Sequence, residues 1–150
     1  MYYSIKDYKL NLSHPISELD LSKAPWLSMK PLLDECYPRP PKDVFGRVVT
    51  LSHERQRLWL AFDGSTITGM VMLSPHSKGG HLENLAVDPR YRGKGIAKDL
   101  VMKLMDSMDQ TSSFLISLTT RIPGFFEPFG FTKYDRPLKD GSTVMIFLSL

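Results

Sequence analysis

The sequence contains one cysteine, Cys36, among its 150 residues. A single thiol cannot form an internal disulfide. The four histidines, His14, His53, His76 and His81, are too scattered to form a Cys/His cluster with the spacing of zinc ligands. We therefore expect neither a disulfide framework nor a metal site.

Long apolar runs and blocks of like charge are also missing. No segment approaches the roughly 18 apolar residues that a membrane-spanning helix needs. Charged residues interrupt the N-terminus where a signal peptide would be apolar, and no block of about five like charges marks a nucleic-acid-binding tail. These absences predict a cytoplasmic protein that has neither a membrane nor a nucleic acid as its partner.

The composition is that of an ordinary globular protein. Hydrophobic residues make up 42% of the chain and charged residues 23%, and a chain of this length buries about 70% of its unfolded surface. We expect a single domain that spans residues 1–150. The 19 basic and 16 acidic residues give a net charge of +3, a mild excess that is compatible with a small polyanionic ligand and equally with chance.

The N-terminal third gives the weaker structural signals. Residues 2–12 are compatible with a strand, and residues 11–25 are rich in turn formers. The apolar spacing over residues 25–37 predicts a helix, which Pro31 must kink unless it lies in the first turn. Residues 42–51 are predicted to form a second short helix.

The middle of the chain predicts strands. Residues 57–62 and 66–73 are β-rich runs on either side of a glycine-containing turn, which is typical of an antiparallel hairpin. A third apolar run extends from His81 to Val87. It ends at Asp88 and Pro89, because proline cannot continue a ladder of hydrogen bonds.

From Gly95 onward the apolar residues recur with the 3.6-residue period of a helix. They form one continuous stripe, made of Ile96, Ala97, Leu100, Val101, Leu104, Met105 and Met108. A buried strand over 114–119, a short helical turn over 123–127 and a closing strand over 144–150 follow. The order of elements predicts an α/β or α+β fold with a central mixed sheet flanked by helices, and the closing strand could mediate a homodimer.

Residues 85–97 place a strand, a tight turn and a helix N-terminus next to one another. The first helical N–H groups have no partner within the helix, and the helix dipole is positive there. Gly93 and Gly95 let the backbone bend sharply and approach an anion closely, while Arg92 and Lys94 add positive charge. The segment therefore predicts a pyrophosphate cradle, although a glycine pair before a helix can also be an ordinary turn.

Two well-known phosphate motifs do not fit this segment. A dinucleotide-binding fingerprint needs a third glycine where Lys98 stands, and a P-loop needs Ser or Thr after Lys94, where Gly95 stands.

Two motifs instead resemble those of the GNAT family of N-acetyltransferases. The segment Arg92-Gly93-Lys94-Gly95-Ile96-Ala97 is similar to the family's Arg/Gln-x-x-Gly-x-Gly/Ala signature. About thirty residues later, the segment from Gly124 to Phe131 resembles the family's second motif, Phe-Tyr-Glu-x-x-Gly-Phe.

This resemblance implies an acetyl-CoA-dependent N-acetyltransferase with no metal. Acetyl-CoA is expected to lie in a sheet that splays between the strand at 81–87 and the strand at 113–119. The residues expected to contact the coenzyme are Leu85, Ala86 and Val87 on the first strand, Arg92, Gly93, Lys94, Gly95, Ile96 and Ala97 in the turn, and Phe125 or Phe126 beside the thioester.

The resemblance also suggests catalytic residues. Glu83 is the leading general base or proton relay, and His81 lies two residues earlier on the same face of the strand. The N–H of Val87 is the expected oxyanion donor. Phe126 replaces the tyrosine that protonates coenzyme A in most relatives. The proton would therefore come from water or from Tyr134, or the thiolate would leave without an acid.

The acceptor is expected to be the primary amine of an amino acid, an amine or an amino sugar. Residues 80–87 resemble glucosamine-phosphate acetyltransferases, and residues 118–131 resemble the acetyltransferase domain of N-acetylglutamate synthase, in which case Arg121 could bind a substrate carboxylate. Trp26, Tyr37 and the prolines after them lie where the family builds its acceptor wall. A protein lysine or N-terminal acetyltransferase and a non-catalytic acetyl-CoA-binding module are the alternatives.

Overall fold

The computed structural model describes residues 14–20, 23–37, 56–76 and 78–150. Within these residues, seven strands form one mixed sheet in the order β1-β2-β3-β4-β5-β7-β6. The strands are β1 (Ile16–Asp20), β2 (Arg57–Asp63), β3 (Thr66–His76), β4 (Gly79–Val87), β5 (Phe114–Thr120), β6 (Thr132–Lys133) and β7 (Thr143–Ser149). The helices are α1 (Trp26–Cys36), α2 (Ile96–Asp106) and the single turn α3 (Pro123–Phe126). This architecture confirms the predicted α/β class and the central mixed sheet.

The sheet opens between β4 and β5, which are its parallel neighbours. They pair only where Gly79, Gly80 and His81 face Leu115, Ile116 and Ser117. Beyond His81, β4 continues beside β3 alone, and β5 continues beside β7 alone. The two strands therefore diverge toward their C-terminal ends, which confirms the splayed sheet that the resemblance implied.

Glycine permits the close approach at the closed end of this split. Gly79 has φ +137°, and a Cβ added to it would lie 1.8 Å from the carbonyl oxygen of Leu115. Any side chain at this position would push the two strands apart, so the three-pair contact depends on a residue without one.

The two faces of the sheet are covered by different helices, because side chains alternate along a strand. Leu58 and Leu60 of β2 belong to a cluster that includes Met29, Leu32 and Leu33 of α1. The intervening Trp59 and Ala61 pack in a second cluster that includes most of the predicted apolar stripe of α2. The sheet is thus the middle of three layers, with α1 on one side and α2 on the other.

A buried polar pair fixes the start of α2. The imidazole Nε2 of His14 contacts the carboxylate Oδ2 of Asp99, and the exposed fractions of the two side chains are 7% and 0%. His14 immediately precedes Pro15, whose carbonyl accepts a hydrogen bond of 3.0 Å from the N–H of Phe62. The segment before β1 is therefore joined both to β2 and to the first turn of α2.

Several predicted elements are confirmed. The helix at 25–37 is α1, the hairpin is β2–β3, and the helix after Gly95 is α2. The predicted strands at 81–87, 114–119 and 144–150 are β4, β5 and β7, each shifted by one or two residues at an end, and the short helical turn at 123–127 is α3.

Other predictions need correction. The turn-rich segment 11–25 contains β1, whose residues Ile16 to Asp20 pair with Ala61 to Arg57. For Pro31, the structure selects one of the two predicted alternatives: the residue lies inside α1, beyond the first turn, and the helix continues past it to Cys36. The sequence reasoning also missed the two-residue strand β6. The strand predicted at 2–12 and the helix predicted at 42–51 lie outside the described residues.

None of the helices that the structure describes is long and apolar enough to cross a membrane.

The buried pair predicts a large difference between two aspartates of the same helix. Asp99→Ala removes a carboxylate that is 0% exposed and leaves the buried His14 without that partner. We expect the free energy of unfolding, measured by urea denaturation, to fall by about 3 kcal/mol. Asp106→Ala makes the same change at an exposed position in the last turn, where an acidic group opposes the helix dipole, and we expect a change below about 0.5 kcal/mol. Equal losses in the two variants would contradict this role of the pair.

Candidate functional site

The split between β4 and β5 continues into three adjoining clefts. We call them the split cleft, of about 580 Å³, the middle cleft, of about 450 Å³, and the turn cleft, of about 320 Å³. The split and middle clefts share Leu85 in their walls. The middle and turn clefts share Val87, Arg92, Ala97 and Phe125. Because neighbouring clefts share walls, they form one groove from the split to the N-terminus of α2.

The turn cleft is built around the backbone before α2. Gly93 and Gly95 have φ values of +80° and +81°, and a Cβ added to Gly93 would meet no atom within 4 Å. Gly95 is the N-cap residue of α2 and provides no capping side chain. The first amides of the helix therefore have neither an intrahelical acceptor nor a side-chain cap. Gly95, Ile96, Ala97 and Lys98 line the cleft.

Side chains on both sides hold this turn in place. Asp88 accepts hydrogen bonds from the N–H and the guanidinium of Arg90, and those from the guanidinium contribute most to the lowered pKa of its carboxyl group. The hydroxyl of Tyr91 donates to Oδ2 of Asp63, at 2.8 Å, at the end of β2. The chain that leads into the turn is thereby fixed at β4 and at the hairpin.

A β-bulge shapes the strand that lines the middle cleft. Met70 faces Ala86 and Met72 faces Glu83, so β4 has one residue more than β3 in this interval. Asn84 takes up the extra residue with φ +53°, a value that asparagine adopts more readily than most side chains. The bulge separates the Glu83 part of β4 from the Val87 part.

The backbone of Val87 is directed into the groove. The N–H of the next residue, Asp88, donates to the carbonyl of Thr68 at 2.8 Å. Because successive amides of a strand point to opposite edges, the N–H of Val87 points away from β3, toward the split. Its carbonyl accepts from Nε of Arg92 at 3.1 Å and from Sγ of Cys36 at 3.5 Å.

The C-terminal end of α1 forms the opposite wall of the middle cleft. Cys36 and Tyr37 both line it, and Tyr37 also lines the split cleft. The N–H of Tyr37 caps the helix by donating to the carbonyl of Leu33 at 2.9 Å. Burial is the largest influence on the Cys36 thiol and raises its pKa, and the nearby Arg92 guanidinium opposes that effect.

The split cleft contains the titratable groups that the sequence predicted on β4. Nδ1 of His81 lies 2.8 Å from Oγ of Ser117, across the last pair of residues before the strands separate. Oε2 of Glu83 accepts a hydrogen bond of 2.8 Å from the hydroxyl of Ser74, which in turn accepts one of 3.2 Å from Nε2 of Gln56. Both side chains are therefore oriented by neighbours on adjacent strands.

Arg121 also lines the split cleft, from the end of β5. Its Nη1 donates to the carbonyl of Asp140 at 2.7 Å, and its Nη2 lies 3.5 Å from the carboxylate of the same residue. The hydrogen bonds of Ser142 contribute most to the lowered pKa of Asp140, and Arg121 adds to the effect. The Arg121 side chain is 68% exposed, so its guanidinium can also meet a ligand in the cleft.

Phenylalanine rings close the floor of the groove. Phe126 lines the split cleft and packs edge-to-face on Phe125 and Phe131, with ring centroids 4.9 Å and 5.7 Å apart. Phe125 lines the middle and turn clefts. Since Phe126 is only 4% exposed, the position where the family pattern has tyrosine is part of the aromatic core.

Most of the predicted site residues come together in this groove. Those that line it are His81, Glu83, Leu85, Ala86, Val87, Arg92, Gly93, Gly95, Ile96, Ala97, Arg121, Phe125 and Phe126. Lys94 lies in the same turn, between the two glycines, but is not among the described lining residues. The structure does not bring Tyr134 to the groove, because it is 68% exposed and follows β6, at the far edge of the sheet.

Sequence reasoning missed Asn84, Lys98 and Cys36. The signal that favours Lys98 is its place in the first turn of α2, next to the predicted pyrophosphate cradle. Among the described residues, no group of three or more His, Cys, Asp or Glu side chains could hold a metal ion.

Residues 24–131 match the family model of the acetyltransferase (GNAT) family. The chain belongs to this family. It is 34% identical over 121 residues, which are 77% of this chain and 74% of the relative, to the uncharacterized N-acetyltransferase YfmK of Bacillus subtilis (strain 168). It is 33% identical over 63 residues, which are 40% of this chain and 42% of the relative, to a glucosamine 6-phosphate N-acetyltransferase of Trypanosoma brucei brucei.

The fold is similar to a crystal structure of aminoglycoside 6′-N-acetyltransferase complexed with coenzyme A. The TM-score is 0.73 at 18% identity, over 91% of this chain and 97% of that chain. The family and the relatives named N-acetyltransferases support an acyltransferase enzyme.

The environment of Cys36 predicts a slow thiol. Because burial raises its pKa, less thiolate is present at a given pH than in a free cysteine. We expect the rate of alkylation by iodoacetamide to be lower than for the denatured chain near pH 8, and to keep rising at pH values where the denatured chain has reached its plateau. As the chain has one cysteine, the mass increase reports this site alone. If the pH at the midpoint of the alkylation-rate curve is at or below that of the denatured chain, the effect of Arg92 on the thiol pKa outweighs the effect of burial.

Proposed function

We propose that this protein transfers the acetyl group of acetyl-CoA to a primary amine of a small molecule. The observation that carries the proposal is the single groove that joins the uncapped N-terminus of α2 to a cleft containing Glu83 and His81. Bound acetyl-CoA would supply an activated acetyl group as a thioester. The chain itself has to bind the coenzyme, orient the amine and accept its proton.

The turn cleft fits a diphosphate. Its two left-handed glycines bring the backbone close to a ligand without a Cβ in the way, and the amides of Ile96 and Ala97 begin the helix. Arg92 and Lys98 line the cleft and add positive charge. We assign these groups, with Gly93, Lys94 and Gly95, to the diphosphate of the coenzyme. A neighbour of the same fold was crystallised with coenzyme A, which supports this coenzyme as the ligand of the groove.

The middle cleft fits the coenzyme's extended arm. Its walls combine apolar side chains with the open edge of β4 at Leu85, Ala86 and Val87, so an amide-containing chain can pair with the strand as a further strand would. The N–H of Val87 points into this space and is our candidate donor to the developing oxyanion. Phe125 packs beside the same path.

Glu83 is our candidate base or relay. An alkyl ammonium has a pKa near 10.4, so an attacking amine must lose a proton near neutrality. Ser74 holds Oε2 of Glu83 at 2.8 Å, which leaves the other carboxylate oxygen available to the cleft. His81 lines the same cleft. In the tautomer in which its Nδ1–H donates to Oγ of Ser117, its Nε2 is the alternative acceptor.

The size and polarity of the split cleft favour a small polar acceptor. Its volume of about 580 Å³ is in the range of small-molecule pockets, and its walls carry Asn84, Thr119 and Thr120 besides the charged groups. We assign Arg121 to an anionic group of the acceptor, such as a carboxylate or phosphate.

A single domain over 1–150, a cytoplasmic location and a homodimer stay predictions.

The diphosphate assignment predicts a difference between two donors. By isothermal calorimetry, acetyl-CoA should bind at least about tenfold more tightly than S-acetylpantetheine, which lacks the diphosphate and the phosphorylated adenosine attached to it, because one charge-assisted hydrogen bond is worth about 1.5–3 kcal/mol. Gly95→Ala strains the left-handed turn and should abolish the difference. The control Gly64→Ala introduces similar strain at φ +60° in the hairpin turn and should keep it. Equal affinities of the wild type for both donors would refute the assignment.

The base assignment predicts a large kinetic effect. Thiol release is first measured with amines, amino acids, amino sugars and lysine peptides, each with and without a carboxylate or phosphate. With the best acceptor, Glu83→Gln should lower kcat about 10²- to 10⁴-fold, whereas Glu127→Gln, on an exposed residue that does not line the described groove, should change it less than about twofold. A decrease below fivefold in Glu83→Gln would remove Glu83 from this role. Peptides as the best acceptors would shift the function to protein acetylation.

A further inference from the structure

Few residues lie at the junction where the split cleft meets the middle cleft. Among the described residues, three line both clefts: Tyr37, Leu85 and Ile122. The side chains of Leu85 and Ile122 carry no exchangeable proton. Of the three, Tyr37 is therefore the residue with a protic side chain.

Under the proposed function, on which this inference rests, the reacting thioester lies at this junction. The diphosphate end of the groove is the turn cleft and the amine end is the split cleft, so the acyl carbon and its sulfur must lie where the coenzyme arm leaves the middle cleft. A group that delivers a proton to the sulfur has to reach the same place.

Other candidates for this task are placed less well. Phe126 lines the split cleft, but its ring has no proton to give and is only 4% exposed. Tyr134 lies beyond β6, outside the described groove. The Cys36 thiol lines the middle cleft but not the split cleft and donates to the carbonyl of Val87.

The fold holds Tyr37 firmly at this position. It is the C-cap residue of α1, and its N–H is bonded to Leu33 at the end of that helix. Leu33 is only 1% exposed, in the cluster that α1 forms with the sheet. The contact of Cys36 with Val87 fastens the same helix end to β4. Tyr37 thus lies in the wall that α1 contributes to the groove. Ile122, which precedes α3, lines the same junction.

We propose that the hydroxyl of Tyr37 donates the proton that converts the departing coenzyme A thiolate into a thiol. The amine nitrogen forms the new bond to the acyl carbon and gives up a proton to Glu83 or a relay. The C–S bond breaks, its electron pair goes to sulfur, and the phenolic proton of Tyr37 moves to that sulfur. Water reprotonates the phenolate and takes the proton from the base, so the overall reaction forms an amide and a thiol.

The test follows the sulfur itself and needs no acceptor. Coenzyme A is bound to the wild type, to Tyr37→Phe and to Tyr134→Phe, and its thiolate is titrated by ultraviolet absorbance against a desulfo-coenzyme A complex, which cancels the absorbance of Cys36 and the tyrosines. A hydrogen bond donated to the thiolate favours the charged form and lowers its pKa. We expect the bound thiol to titrate about one pH unit higher in Tyr37→Phe than in the wild type, and Tyr134→Phe to match the wild type.

Calorimetry with coenzyme A on the same three proteins separates the possible failures. If the wild type does not bind coenzyme A, the proposed function fails and this inference falls with it. If the wild type and Tyr37→Phe bind coenzyme A equally and their bound thiols have the same pKa, this inference alone is overturned. It is also overturned if Tyr134→Phe, rather than Tyr37→Phe, raises the pKa of the bound thiol. With an acceptor in hand, Tyr37→Phe should lower kcat about tenfold or more while KM for acetyl-CoA stays within about twofold.

Discussion

The separation of β4 from β5 after three residue pairs is the constraint on which the rest of this structure depends. A parallel pair that ends so early leaves backbone donors and acceptors along the inner edges of both strands. Such groups must find partners or face water. On β4 the carbonyl of Val87 is satisfied by Arg92 and Cys36, while its N–H remains directed into the gap. The opened sheet therefore presents main-chain groups to the groove.

An opened sheet needs support, which comes from the two helical layers. The buried α1 and α2 clusters lie on opposite faces, so neither half of the sheet can rotate without disturbing a core. Polar ties reinforce the end where the backbone has no regular pairing: Asp99 is joined to His14, and Tyr91 is joined to Asp63. The rigid surroundings allow the turn at Gly93 and Gly95 to keep its left-handed conformation, in keeping with the preorganisation that acyl transfer requires.

The features that could be predicted from sequence are those determined by local chemistry. The apolar stripe of α2, the hairpin β2–β3 and the two-glycine turn each carry their signal within a short window. Strand β1 does not, because Ile16 to Asp20 shows no clear alternation and takes its conformation from pairing with β2, including the 2.7 Å bond between Arg57 and Glu18. The place of Tyr37 between two clefts depends on where α1 docks, and the bulge at Asn84 depends on the register of β3. A short window of sequence predicts neither the place of Tyr37 nor the bulge at Asn84.

The extra residue at Asn84 has a consequence for how this strand can diversify. In an unbroken strand, inserting or deleting a residue on the acceptor side would shift the register as far as the coenzyme side. A bulge absorbs such changes locally, since it already interrupts the ladder between Met70 and Met72. Under the proposed function, the segment from His81 to Glu83 can therefore vary with the acceptor while Leu85 to Val87 keeps its geometry, so that one coenzyme site can be combined with many substrates.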